Sequence, residues 1–287
     1  MTSRSTAVPV YIAGVTQPAT HPGIGAVRRA TRLVLAPANA VLAEVGAHAS
    51  LLMQALYWGL RPPYRVRLWI EAMDFVGTGS LFIVGLTGTF VGMVFGIQLV
   101  DGFRQFGAEN QVGAVVGLAL ARELAPVFAA LMVSSRAGSA MTTELGSMRV
   151  TDQIDALTTM AVHPVQYLVV PRLLAGLVMT PVLTMLFNLV GLAGAWLVCV
   201  QMLGLDPGVF LDKVRWYVDA DDLGQGLLKA AVFGFTIALI ACRHGFWASG
   251  GAAGVGRATN RAVVQSAVAI LVLDYVVTSL VTGQGAP

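Results

Sequence analysis

Arg122, Glu123, Arg136, Glu144, Arg149, Asp152 and Asp155 all fall within 37 residues, Ala121 to Leu157, of a chain that is 56% hydrophobic and 11% charged. Lys229 and Asp274 each interrupt a further apolar run. Charge held near or between membrane spans is costly and is usually kept for binding, coupling or transport. Arg122, Glu123 and Lys229 are candidate polar partners for a cargo's polar group. Glu123 and Asp274 are alternatively candidates for a proton or ion relay, the kind of task intramembrane carboxylates perform. A nucleophile–base pair is not expected, because His21, His48, His163 and His244 all lie outside the centres of the apolar runs.

These residues need a membrane frame. Soluble domains carry about 25% charged residues, and a soluble core could not hide this much apolar surface at a mean hydropathy of +0.74. The net charge of +3 rests on 16 arginines and only two lysines, Lys213 and Lys229, which is no nucleic-acid footprint. Cys199 and Cys242 both sit in apolar runs and read as small core or lipid-facing residues rather than a disulfide or metal site. Residues 1–25 show no signal-peptide pattern and read as a loosely ordered arm.

A span needs about 20 apolar residues, and five stretches qualify: 81–100, 112–144, 173–203, 223–242 and 262–282. The segment 26–58 has an Arg-rich start (Arg28, Arg29, Arg32) and mixed faces, which suits a helix lying in the interface. Trp58, Tyr64 and Trp69 stand where an aromatic belt would anchor it. Arg61, Arg65 and Arg67 precede the first span, Arg149 and Arg172 join spans two and three, and Arg243, Arg257 and Arg261 join spans four and five. The link between spans three and four is acidic instead, with Asp206, Asp212, Asp219, Asp221 and Asp222. The positive-inside rule then sets the N-terminus in the cytoplasm and the C-terminus outside.

From Val150, apolar residues Val150, Ile154, Leu157 and Ala161 recur at helical spacing, and His163-Pro164 ends the pattern. A short cytoplasmic amphipathic helix of this kind either receives a push from a soluble motor or is an ordinary solvated loop helix. Other residues also carry two readings. Arg122 and Glu123 are cavity groups or ties between helices. Lys229 is a cavity group or snorkels to the interface. Asp274 reads as a structural carboxylate that accepts hydrogen bonds from Ser, Thr or backbone groups or stays protonated. Gly85, Gly88, Gly92 and Gly96 allow close backbone approach, in a dimer or within one subunit.

The runs Arg122 to Pro126, Ser135 to Ala140, Glu144 to Leu157 and Met160 to Pro164 resemble the MlaE/YrbE family of ABC-transporter permeases. Gly254 to Val264 and Leu273 to Thr278 are similar to that family's last helix, and the likeness covers roughly residues 26–283. The resemblance implies an all-α membrane protein with an N-terminal interfacial helix, five spans and a four-residue tail after position 283. It implies a coupling helix carrying Met148, Arg149, Asp152, Gln153, Asp155 and Leu157 against a cytoplasmic ATPase, and places Arg122, Glu123 and Lys229 close to a lipid cavity. It also implies a homodimer in the bacterial inner membrane, a periplasmic MCE-domain protein, a small STAS-type regulatory subunit, and phospholipid carried between inner and outer membranes.

No cofactor or metal is expected on this chain. A phosphate loop ends Gly-Lys-Ser/Thr, whereas Lys213 and Lys229 are followed by Val214 and Ala230. ATP and Mg would belong to the partner ATPase. The other class to weigh is a proton- or ion-coupled secondary transporter, for which no internal repeat is visible.

Overall fold

The computed structural model describes residues 42–62 and 64–283, and divides into two compact units, Met1–Gly46 and Ala47–Pro287. Of the first unit only the helical residues 42–46 are described. The expected arm 1–25, most of the expected interfacial helix and the tail 284–287 lie outside the described residues.

The second unit is helical throughout its described elements. It comprises α1 (47–59), α2 (Val66–Arg104), α3 (Glu109–Val150), α4 (Gln153–Thr159), α5 (Val165–Met202), α6 (Pro207–Tyr217), α7 (Ala220–Phe246) and α8 (Gly251–Gly283). Five of these, α2, α3, α5, α7 and α8, are long and apolar enough to cross a membrane. The protein is thus an all-α multi-pass membrane protein. The spans outrun the uncharged stretches that mark them. α2 starts at Val66 because Arg67 and Glu71, 2.8 Å apart, stabilise its first turns as an i,i+4 pair.

Packing replaces the hydrophobic effect as the organising force, since lipid tails are as apolar as the core. α5 sits centrally, against α2 on one side and α7 on the other, while α8 closes on α7 and α3. Small residues make the seams. A side chain on Gly92 would overlap the Gly191 carbonyl, and one on Gly88 or Gly96 would press on Phe187 or Cys199 of α5. Three of the four glycines of this stripe therefore serve packing within the subunit, and Gly85 faces open space. Phe187, Leu183, Phe233 and Ile237 are fully buried between the seams. Cys199 and Cys242 are buried and unpaired.

At one end, α1 buries Leu51 and Ala55, and Trp58 stacks on His163 with ring centroids 3.9 Å apart. Burial holds the His163 imidazole below its ordinary pKa, which favours the neutral ring beside Trp58. At the other end, α6 starts on an Asp206 cap that accepts from the Val209 N–H at 2.9 Å, and packs its Phe210 against Gly113 of α3.

α3 is not a uniform α-helix. It contains two π-helical turns, Leu120–Leu124 and Ser134–Gly138, and these hold Arg122, Glu123 and Arg136. π-turns inside α-helices are frequent at functional sites.

Candidate functional site: an intramembrane charge cluster

Pro126 is the local cause of the first feature. It has no N–H to give the carbonyl four residues back, so the Arg122 carbonyl loses its ordinary helical donor. Lys229 of α7 supplies one, with Nζ 3.1 Å from that oxygen. Gly226, one turn earlier, makes the approach possible, because a β-carbon there would overlap the Ala121 carbonyl. The same ammonium donates to Glu123 Oε2 at 2.6 Å and lies 3.3 Å from Asp274 Oδ1 on α8. Three helices thus converge on one lysine whose side chain is 4% exposed. An ammonium has three donors; two bond the Arg122 carbonyl and Glu123, and Asp274 stands at ion-pair distance.

Arg122 points elsewhere. Its Nε and Nη2 both reach Asp222 Oδ1, at 2.7 and 2.5 Å. Asp222 is buried at the start of α7, where its other oxygen accepts from the Asp219 N–H at 3.0 Å and closes a reciprocal cap with Asp219. The Arg122 side chain remains half exposed, at 49%. The Glu123 side chain is similarly open, at 43%.

Glu123 and Lys229 therefore meet, with Asp274 as a third member. Arg122 joins them only through its backbone carbonyl, its side chain being paired with Asp222. Lys229 is turned inward rather than snorkelling to an interface. Asp274 has an ammonium as its neighbour, not a hydroxyl, and its 3.3 Å approach is an ion contact without an aligned hydrogen bond. Sequence reading placed Asp222 in an acidic link and missed its pairing. The signal for Lys229 was present in Pro126, which marks an orphan carbonyl in a lipid-embedded helix. Two carboxylates to one ammonium give the triad one surplus negative charge in formal terms. What it can do is electrostatic: bind, orient and hold helices in register.

A double substitution tests this reading. Glu123→Gln or Asp274→Asn alone leaves Lys229 one ionised partner. Removing both strands a buried cation, so the double variant should lose more than the sum of the singles, by about 1–3 kcal/mol in thermal unfolding of the detergent-solubilised protein. Additive losses would mean that the two acids do not share the lysine.

The segment read as a coupling helix is shorter than its apolar pattern. α3 ends at Val150, Asp152 adopts a left-handed conformation (φ 59), and α4 covers only Gln153–Thr159 before Ala161 turns left-handed again (φ 58). Ile154 is buried and Leu157 half-buried, but Ala161 is exposed, so the four positions do not form one stripe. Asp155 pairs with Arg149 at 2.7 Å, Gln153 donates to Thr151 Oγ1 at 3.0 Å, and Asp152 stands free at the surface. Met148 lines a cleft between α2, α3 and α5.

The sequence profile of the family described as Permease MlaE matches residues 69–280, a range holding the whole charge cluster. A probable ABC transporter permease protein of Rickettsia felis is 40% identical over 237 residues, covering 83% of this chain and 92% of the relative. The intermembrane phospholipid transport system permease protein MlaE of Haemophilus influenzae is 38% identical over 222 residues, 76% of this chain and 84% of that protein. Protein TRIGALACTOSYLDIACYLGLYCEROL 1, chloroplastic, of Arabidopsis thaliana is 37% identical over 210 residues, 73% of this chain and 60% of that protein. With three quarters of its length matched and the charge cluster inside the match, the chain belongs to the MlaE permease family.

Proposed function

We propose that this chain is the permease subunit of an ABC transporter that moves phospholipids between inner and outer membranes and so maintains outer-membrane lipid asymmetry. The observation that carries the reading is the family match across all five spanning helices and their charge cluster. The chain works as a homodimer in the inner membrane, N-terminus cytoplasmic and C-terminus periplasmic. A cytoplasmic ATPase binds ATP and Mg, a periplasmic MCE-domain protein exchanges the lipid, and a small STAS-type subunit regulates the complex. The half-exposed sides of Arg122 and Glu123 face the lipid's polar group, and Lys229 holds Glu123 in place. This chain catalyses no covalent step.

The deciding experiment is reconstitution with the ATPase. Vanadate-sensitive lipid transfer supports the reading, whereas flux driven by an ion gradient without ATP would favour the secondary-transporter alternative through Glu123 and Asp274. Glu123→Ala should impair transfer while leaving the complex assembled.

In the same reading α4 rests on the ATPase, and its exposed acids meet that partner. Asp152→Arg with Asp155→Arg should uncouple ATP hydrolysis from transfer without unfolding the permease. Because Asp155 also pairs with Arg149, the variant needs Arg149→Glu beside it to restore that pair in reverse. Full transfer and full ATPase binding in the triple variant would refute the docking role.

A further inference from the structure

Arg136 is a charged group of the spans that the cluster above does not use. Among the described residues no carboxylate lies within ion-pair distance of it. The second π-turn of α3 carries it, and its Nη1 donates to the Phe75 carbonyl of α2 at 2.5 Å. The guanidinium carbon lies 5.0 Å from the centre of the Phe75 ring. Its bed is Gly79, where any β-carbon would collide with the guanidinium. Gly79 is ten residues beyond Trp69 of the aromatic belt, about 15 Å along a helix. A guanidinium so deep, with one neutral carbonyl as its hydrogen-bond partner and no counter-charge, is in an expensive position.

A cleft of about 360 Å³ lies between α2, α3 and α5, lined by Tyr167, Arg172, Glu144, Met148, Met141 and Phe75, and it shares Phe75 with Arg136. Arg172 is already committed there, to Glu144 at 2.8 Å and to the Leu168 carbonyl at 2.6 Å. Arg136, beyond Phe75, is not. The fork of an arginine matches a phosphate oxygen pair and donates to it bidentately.

We propose that Arg136 is a phosphate-binding station for a phospholipid head group inside the span, approached along this cleft and separate from the Lys229 cluster. The proposal rests on phospholipid as the cargo and adds a second place where its head group is held. Gly79 keeps α2 clear of the guanidinium, the Phe75 carbonyl aims it, and its remaining donors take the phosphate.

The test uses the full-length protein in detergent and measures by native mass spectrometry how much phosphatidylglycerol is retained relative to diacylglycerol with the same acyl chains. Arg136→Gln should lower that preference at least about tenfold for one bound lipid, the loss of a charge-assisted hydrogen bond. Arg136→Lys should keep part of it, through charge without the fork. An unchanged preference together with a lower melting temperature would show that Arg136 only ties α3 to α2, and would overturn the proposal. Displacement of the lipid by inorganic phosphate at matched concentration would overturn the lipid assignment and leave a free-phosphate site. If Arg136→Gln loses the preference but the wild-type complex moves no lipid with ATP, the station stands and the transport reading fails. Intact preference with intact ATP-driven transfer in that variant sinks the station alone.

Discussion

Lys229→Met is expected to be among the most damaging single changes in the membrane core. Among the described residues it removes the one cation between Glu123 and Asp274, 2.6 and 3.3 Å from the present ammonium, and it takes the ammonium donor from the Arg122 carbonyl. Breaking one side of a buried charge arrangement typically costs about 3–5 kcal/mol, a large share of the stability of most folds. The variant should melt far below the wild type or fail to accumulate. Neutralising both acids alongside it, in Lys229→Met/Glu123→Gln/Asp274→Asn, should restore most of the loss. The remainder, about 1–3 kcal/mol, is the unpaired carbonyl. If Lys229→Met melts like the wild type, the triad contributes nothing to the fold and its cost must be justified by transport alone.

Gly92→Val should have an effect of similar size through sterics. The position faces the backbone of α5, not a side chain that could rotate away, so the helices must separate. Separation forfeits the contacts of Phe187 and Leu183 along the whole seam, and overpacking of this kind costs about 1–3 kcal/mol or more. Gly85→Val, on the same stripe but open to the surroundings, is the control and should be nearly neutral. Thermal unfolding of the two variants side by side decides the matter. Equal losses would mean that valine's poorer helix propensity, not the seam, is responsible.

The frame was legible because lipid imposes a simple rule: twenty apolar residues in a row must be a span, and five such rows exist. The helices' true ends were less legible, since Arg67, Glu71 and Asp74 of α2 continue the helix beyond its apolar part. For the site, residue types were readable but partners were not. Arg122 and Asp222 are 100 positions apart, and nothing in the local pattern of either names the other. Lys229 resembled a snorkelling lysine by its place in α7; only Gly226 and Pro126 taken together show why it turns inward. The apolar recurrence from Val150 to Ala161 misled for a different reason. Periodicity assumes unbroken backbone, and two left-handed residues, Asp152 and Ala161, break it.

The π-turns of α3 have a further consequence, for tolerance of chain-length change. Each accommodates roughly one residue more than an α-turn, and one residue is worth about 100° of rotation. A single-residue deletion inside Ser134–Gly138 would be absorbed locally as regular helix, with every backbone group still bonded. Residues beyond it would keep their phase, because the wide turn already spends its extra residue within about one rotation. A deletion in the regular helix between Gly138 and Thr142 has no such slack: everything beyond it would swing by that angle, carrying Glu144 away from Arg172 and Thr142 from the Ala241 carbonyl it now reaches at 3.2 Å. The wide turn is thus the place where α3 tolerates a lost residue, and the twelve residues after it, Ser139–Val150, are not.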